Sequence, residues 1–186
     1  MNIELDLITA CINRERRAEY ELYKLTYSYL MSICIRYTNN KEEAEEALNT
    51  GFLKILSNLT KYKTEIPFKV WMRKVLVNTL IDAYRKQKVN NGQIKYVEEY
   101  IETSDFADVN NALTKMNAEQ IYTMIKQLPP MSQKVFNLYA IDGFAHKEIA
   151  EMLEMSEGTS KWHLSFSRQQ LKEMITKIIP QKKIAS

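Results

Sequence analysis

Apolar residues recur every three to four positions along most of this chain, which is the spacing of one face of an α-helix. In the first half, the pattern predicts one short helix and three longer ones, with a break at Asn39-Asn40. In the second half, four shorter patterns are separated by turn signals such as Pro129-Pro130 and Asp142-Gly143. The predicted helices span residues 4–13, 14–38, 42–59, 67–88, 117–128, 131–139, 146–153 and 156–177. No stretch alternates as a half-buried strand does, so the sequence predicts an all-α protein.

The periodicity fades between the two groups of helices, from residue 89 to about residue 115. This stretch opens with the turn signal Asn90-Asn91-Gly92 and is acidic. It is therefore interpreted as a linker between a helical domain at residues 1–88 and a second one at residues 116–186. A solvated surface helix is the alternative interpretation.

Charge is distributed unevenly over a chain whose net charge is only +3. Residues 61–90 contain eight Lys and Arg against two Asp and Glu, whereas residues 91–120 contain two against six. Residues 121–186 are basic again, with nine against six. Two positive blocks on either side of an acidic one favour two surfaces that bind a polyanion such as nucleic acid.

The predicted helix at residues 67–88 is apolar around most of its circumference and keeps one polar strip. Cations on such a strip bind phosphates, an Asn amide can pair with a base edge, and a Trp ring offers a stacking surface. These types occupy the strip at helical spacing, in the order Trp71, Lys74, Asn78, Asp82 and Arg85. The pattern suits a helix that grips a nucleic-acid strand, although a core helix with one solvated edge would show it as well.

Residues 146–171 have the dimensions of a helix-turn-helix, with a short helix, a tight turn and a longer amphipathic helix. Ser156 is a suitable N-cap for the second helix. Apolar residues on the two helices and in the turn supply a small shared core: Ile149, Leu153, Met155, Leu164 and Leu171. The side chains expected to project away from that core are Lys161, Trp162, Ser165, Arg168 and Lys172. This is the pattern of a recognition helix in a major groove, although a helix pair in a bundle can share it.

The composition argues against an enzyme and against a metal or cofactor site. The two histidines, His146 and His163, both lie in the helix-turn-helix, where a surface or DNA-facing role is expected, and no metal-ligand spacing occurs. Cys11 and Cys34 sit in helical patterns without a CxxC spacing, so they are expected to be reduced, buried thiols. No apolar run approaches a membrane span, and the N-terminus lacks the features of a signal peptide, so a cytoplasmic protein is expected.

Two separate segments of the chain resemble one family in the same order. The run LPPMSQKVFNLYAIDGFAHKEIAEMLEMSEGTSKWHL, followed by SFSRQQL, is similar to the C-terminal promoter-reading domain of extracytoplasmic-function (ECF) sigma factors. YELYKLTYSYL, EEAEEALNTGFLKIL and FKVWMRKVLVNTLIDAYRKQK resemble the first domain of that family. The resemblance covers about residues 20–175 and is closest to members from Bacteroidetes-type bacteria. It implies a sigma factor whose partners are core RNA polymerase, promoter DNA and an anti-sigma factor.

The resemblance also implies roles for individual residues. Asn78 and Lys74 would contact the melted minus-ten promoter element, Arg85 and Lys86 would bind phosphates, and the acidic linker would thread towards the polymerase active site. The loop that holds a flipped base would contain Lys61, Tyr62 and Lys63. The recognition helix would read the minus-thirty-five element with Lys161, Trp162, His163, Ser165, Phe166 and Arg168. The helix at 42–59 would dock on the polymerase clamp with Glu45, Glu46, Leu48, Asn49 and Phe52.

The chain departs from the family pattern at several positions. Ala145 replaces a capping Ser, at a cost of about 1 kcal/mol, and Glu154 replaces a Gly in the turn, where a left-handed backbone would strain another residue. Trp162 stands where small or polar residues are usual, and Phe166 where Arg is usual, so phosphate binding should be weaker. Asn49-Thr50-Gly51 replaces the usual end of the polymerase-docking motif.

Two other binding functions stay open on the sequence. A stand-alone helix-turn-helix regulator would explain residues 117–186 but would leave the first domain as an unassigned sensor or dimerisation module. A helical adaptor without a DNA-binding role is disfavoured by the two basic blocks. A sigma factor accounts for both domains, and dependence of promoter opening on core polymerase distinguishes it from a regulator.

Overall fold

The computed structural model of the protein describes residues 3–90 and 118–178, and these two ranges contain helices and loops without a strand. The predicted all-α fold is therefore confirmed. The helices are α1 (Leu5–Ile12), α2 (Arg16–Tyr37), α3 (Lys41–Asn58), α4 (Phe68–Asn90), α5 (Ala118–Lys126), α6 (Pro130–Phe136), α7 (His146–Leu153) and α8 (Glu157–Ile178). The chain forms two compact units, residues 1–93 and 94–186. The predicted acidic linker lies almost wholly outside the described residues.

In the first unit, α3 packs against both α2 and α4, and α1 covers part of α2. The core is aliphatic, and its fully buried members include Leu22, Leu30, Ile33, Leu48, Ile55, Met72, Leu76 and Ile81. Gly51 of α3 lies against α4, where an added Cβ atom would overlap the Leu76 Cδ1 atom. Gly51 therefore stands inside a helix, despite its low helix propensity, because the neighbouring helix leaves no room for a side chain.

The start of α3 follows from side-chain capping. Asn40 is the N-cap of α3: its Oδ1 atom accepts a hydrogen bond of 2.8 Å from the Glu43 amide, and the Glu43 carboxylate accepts one of 3.0 Å from the Asn39 amide. This reciprocal arrangement satisfies amides that the first helical turn leaves unpaired. After a 3-10 turn at Leu59–Lys61 and a short loop, the Pro67 carbonyl accepts the first hydrogen bond of α4, 2.8 Å from the Val70 amide.

In the second unit, α8 is the central helix and packs against α5, α6 and α7. The buried apolar residues include Met131, Val135, Leu138, Ile149, Leu153, Leu164 and Leu171. A π-helical turn, Asn137–Ile141, continues α6 and leads through Gly143, which has a positive φ of 78°, to α7. Helices α7 and α8 form the predicted helix-turn-helix.

The N-terminal end of α7 and the turn between α7 and α8 confirm three predictions. Ala145 offers no side-chain cap to α7, although its amide donates a 3.0 Å hydrogen bond to the Glu148 carboxylate. Glu154 ends α7 in the left-handed region, with φ 54° and ψ 52°. Ser156 caps α8, because its hydroxyl accepts a 2.9 Å hydrogen bond from the Thr159 amide.

Cys11 and Cys34 are free, buried thiols, as predicted. Burial raises the pKa of Cys11 to about 11 and that of Cys34 to about 12, so both thiols are protonated at neutral pH. None of the helices described is both long and apolar enough to cross a membrane. Within residues 3–90 and 118–178, no three His, Cys, Asp or Glu side chains are grouped so that they could hold a metal ion.

Candidate nucleic-acid and protein-binding surfaces

The polar strip of α4 lies on the helix side that faces away from α3. Lys74, Asn78 and Asp82 are exposed, while Trp71 and Arg85 are half-buried. Arg85 lies near Asp82, with 3.7 Å between the Arg85 Nη1 and Asp82 Oδ1 atoms. Lys86, at the C-terminal end of the strip, is exposed as well. The strip therefore presents an amide between cations, with one carboxylate near its C-terminal end.

An aromatic cluster closes the N-terminal end of this strip. The Tyr62 ring lies edge-on to Phe68, with centroids 5.0 Å apart, and its centroid is 5.4 Å from that of Trp71. Phe68 and Trp71 stack at 5.6 Å. The Tyr62 hydroxyl donates a 2.9 Å hydrogen bond to the Ile66 carbonyl, which folds the loop over the start of α4. Such a cluster offers an aromatic surface on which an unpaired base can stack.

The loop that carries Tyr62 also carries the cations predicted for it. Lys61 and Lys63 are both exposed, one on either side of Tyr62 in the sequence. The structure thus brings Tyr62 and Trp71 into contact and leaves the flanking ammonium groups in solvent. A ring surface with cations in the same loop is the combination that binds a base and its phosphates.

The second predicted DNA-binding surface is the side of α8 that carries Lys161, Trp162, Phe166 and Arg168. Lys161 is exposed, and the other three side chains are half-buried. Trp162 and Phe166 stack, with ring centroids 5.3 Å apart and an angle of 14° between the planes. The centre of this surface is therefore an apolar pair, and Lys161 and Arg168 stand on either side of it in sequence.

Two predicted DNA-facing residues of α8 are buried instead. The His163 side chain is 2% exposed, and its Nδ1 atom is 2.9 Å from the Ser132 hydroxyl of α6. Burial lowers the pKa of His163 to about 4, so the ring is neutral at pH 7. Ser165 is 9% exposed, and its hydroxyl has no hydrogen-bond partner among the described residues. The expectation that either side chain faces DNA is corrected here.

His163 is buried because α8 packs against α6 as well as α7. The buried face of α8 is therefore wider than the spacing of its leucines indicates. Ser167 marks the same contact: its hydroxyl donates a 3.0 Å hydrogen bond to the Ser132 carbonyl.

A layered cluster that the sequence did not indicate joins the π-helical turn to α7 and α8. The Tyr139 ring stacks on His146 at 4.4 Å, and the Arg168 guanidinium lies over the Tyr139 ring at 5.9 Å. The His146 Nδ1 atom is 2.9 Å from the Ser160 hydroxyl. Burial lowers the pKa of His146, and the charges of Lys161 and Arg168 lower it further. The cluster positions Arg168 at the edge of the α8 surface.

The polymerase-binding residues predicted on α3 divide into exposed and buried ones. Glu46 and Asn49 are exposed and Glu45 is half-buried, but Leu48 is 1% and Phe52 is 6% exposed. Phe52 lies edge-on to Tyr23 of α2 at 5.0 Å, and the Tyr23 hydroxyl donates a 3.1 Å hydrogen bond to the Asn49 side chain. Leu48 and Phe52 are core residues, so a direct contact from their side chains to a partner is corrected to an indirect one.

The predictions missed exposed apolar side chains on the same two helices. Leu53 of α3 is 66% exposed and Tyr20 of α2 is 63% exposed. The sequence did contain a signal for Leu53. It directly follows the buried Phe52, and adjacent residues of a helix point in directions about 100° apart, so Leu53 lies outside the buried face. These side chains, with Glu46 and Asn49, belong to the exposed surface of α2 and α3.

Comparison with known proteins identifies the family to which these two surfaces belong. Residues 22–89 match the family model described as Sigma-70 region 2, and residues 118–171 match Sigma-70, region 4. The two matches fall in separate units and together span most of the described residues. The chain belongs to the sigma-70 family. The α4 strip and its aromatic cluster lie in region 2, and the helix-turn-helix lies in region 4.

Relatives agree with this identification, and a solved structure shares the fold. The chain is 26% identical to RNA polymerase sigma factor SigZ of Bacillus subtilis, over 74% of this chain and 75% of that one. It is 25% identical to the ECF RNA polymerase sigma factor SigW of the same species, over 78% and 82%. The sigma factor RpoE, solved in complex with the anti-sigma factor NepR from Bartonella quintana, shares the fold with a TM-score of 0.51 and 16% identity, over 86% and 96%. Within the sigma-70 family, the chain groups with the ECF factors.

Proposed function

We propose that this sigma-70 family member is an ECF sigma factor that binds core RNA polymerase and directs it to particular promoters. The observation that carries the proposal is the pairing of two different DNA-binding surfaces in one chain. One combines an aromatic cluster with a cationic strip and suits a single strand, whereas the other is a helix-turn-helix and suits a duplex. A start site that is melted downstream and double-stranded upstream needs both kinds of surface.

In the proposed mechanism, the first unit holds the melted minus-ten element. A base extruded from the duplex stacks on Tyr62 and Trp71, whose rings pack against the buried Phe68, and Lys61 and Lys63 neutralise its phosphates. Lys74 and Arg85 bind the backbone further along α4, and the Asn78 amide pairs with a base edge. A strand captured in this way cannot re-pair with its complement. The free energy of its binding to the first unit therefore favours promoter melting.

The second unit holds the upstream element as duplex. Helix α8 enters the major groove, with Lys161 and Arg168 at its phosphates and base edges and with Trp162 and Phe166 between them. Few cations line this surface, so phosphate binding and its salt dependence are weak. The second unit therefore does not bind DNA tightly by itself. The two units together position the polymerase on the promoter.

The proposed protein partners follow from the exposed surface of α2 and α3 and from the relatives. Glu46, Asn49 and Leu53 are placed to contact the polymerase clamp, while Leu48 and Phe52 hold α3 in position from the core. An anti-sigma factor is the second proposed partner, by analogy with the RpoE complex. The protein acts in the cytoplasm as a specificity subunit without catalytic activity of its own, and the Bacteroidetes-type origin stays a prediction.

The experiment that tests this function is transcription from a supercoiled template. Core polymerase is incubated with and without the protein, and transcripts are mapped at their 5′ ends. New start sites that depend on both components are expected. Binding of the protein alone to a duplex operator, with no polymerase-dependent start site, would favour the stand-alone regulator instead.

A further inference from the structure

The recognition helix presents an aromatic pair where a polar surface is the usual means of reading DNA. Trp162 and Phe166 lie one helical turn apart in the N-terminal half of α8, on the side away from the buried Leu164 and Leu171. Their rings stack at 5.3 Å with nearly parallel planes. The N-terminal half of a recognition helix is the part that contacts base edges. This pair is therefore in the position where base readout occurs.

The aromatic pair packs against a buried histidine of the same helix. The Trp162 ring lies edge-on to the buried His163 ring, with centroids 4.8 Å apart, and His163 is anchored to Ser132 of α6. The intervening Ser165 is only 9% exposed, so its hydroxyl is largely withdrawn from this surface. The Trp162 and Phe166 rings are thus the main groups that the surface presents.

An apolar surface in a major groove disfavours base pairs whose hydrogen-bonding groups it covers without pairing. Most groups on the major-groove edge are hydrogen-bond donors or acceptors, and covering them with a ring removes their water without replacing the hydrogen bond. The C5 methyl of thymine is the one apolar group on that edge. Lys161 and Arg168 flank the pair in sequence and complement the charge of the DNA backbone, so duplex DNA is the occupant that the surface favours.

We propose that Trp162 and Phe166 recognise thymine through its C5 methyl group in the upstream promoter element. This inference rests on the proposed function, because it requires α8 to bind the minus-thirty-five duplex. It adds the chemical basis of the specificity at Phe166, which is methyl contact where the usual arginine would form hydrogen bonds. The preferred upstream element accordingly contains one or two adjacent thymines opposite the pair.

The test removes the methyl from the DNA and leaves every protein atom unchanged. Promoters engaged by the holoenzyme are first identified by sequencing the bound DNA. In one such promoter, each thymine of the upstream element is then replaced singly by deoxyuridine, and holoenzyme affinity is measured. Loss of one methyl contact should weaken binding about four-fold at one or two positions and leave the others unchanged.

Two protein variants show whether the sensitivity comes from the aromatic pair. For each of the variants Phe166→Ala and Trp162→Ala, the affinities for the thymine promoter and the deoxyuridine promoter should differ by less than about 1.5-fold, because the methyl contact is lost. Lys161→Ala is the matched control in the same helix: it should weaken both promoters equally and retain the four-fold ratio, because phosphate binding does not depend on the methyl.

The outcomes separate this inference from the function on which it rests. Promoter-specific binding with no deoxyuridine position that matters would overturn the inference and leave the sigma-factor function intact. A four-fold ratio that persists in both aromatic variants would also overturn it, since another group would then contact the methyl. Absence of any polymerase-dependent promoter binding would instead overturn the proposed function itself.

Discussion

The buried His163 makes the stability of the second unit depend on pH. Burial holds its pKa at about 4 in the folded unit, whereas the ordinary pKa of a histidine, as in an unfolded chain, is 6.5. Between these two pH values the unfolded state binds more protons than the folded state, so acid favours unfolding. The free energy of unfolding of the second unit therefore keeps its full value above about pH 6.5 and falls as the pH is lowered from about 6.5 to about 4. The loss should reach about 2 kcal/mol at pH 5 and about 3 kcal/mol below pH 4.

The assay needs a signal from the second unit alone. The chain has two tryptophans, one in each unit, so a Trp71→Phe background leaves Trp162 as the reporter. Trp162 lies against His163 and should sense unfolding of α8 directly. Urea unfolding curves between pH 7.5 and 4.5 then give the free energy of unfolding at each pH.

Carboxylates also titrate in this range, so the comparison is between variants. His163→Gln cannot take up the proton and should show a pH dependence that is smaller by about 2 kcal/mol between pH 7.5 and 5. His146→Gln, at the half-buried histidine of the same unit, is the matched control and should change the dependence less. Equal pH dependence of the original chain and His163→Gln would refute the buried, neutral histidine.

Three further predictions concern the turn, the core and the α4 strip. Glu154→Gly should stabilise the second unit by roughly 0.5–1 kcal/mol, as measured by urea unfolding, because glycine adopts the left-handed backbone at that position without strain; an unchanged or lower stability would contradict that backbone. Gly51→Ala should cost about 1 kcal/mol although alanine favours helix, because its methyl displaces Leu76 in the core; a gain in the same assay would show that α3 and α4 are further apart. Asn78→Ala and Lys74→Ala should slow promoter opening, followed with a fluorescent base in the minus-ten element, more than they weaken polymerase binding. Wild-type opening rates in both variants would remove the strip from the mechanism.

Helix positions could be predicted closely because the apolar periodicity and the turn residues agree with each other. Helix α7 has the predicted bounds, and α3 begins one residue earlier than predicted, where Asn40 supplies the cap. The left-handed backbone at Glu154 was also predictable, because the family that the chain resembles carries a glycine at that position of the turn.

The errors arose where a side chain has a neighbour from a distant part of the chain. The periodicity of α8 shows that Leu164 and Leu171 are buried, but not that α6 covers the adjacent arc and takes in His163. Leu48 and Phe52 are apolar and four residues apart, which is the spacing of one buried helix face, but the family resemblance assigned them to the polymerase contact. The contact between the Tyr62 and Trp71 rings depends on the path of a loop, which periodicity does not encode.

The measurement that tests the central claim most directly is the binding of the full-length chain to core RNA polymerase, followed by promoter engagement of the mixture. Stoichiometric co-purification of one chain per core enzyme is predicted, with promoter binding that requires both. A chain that does not associate with core polymerase under conditions where both are folded would contradict the account, whatever its affinity for DNA alone.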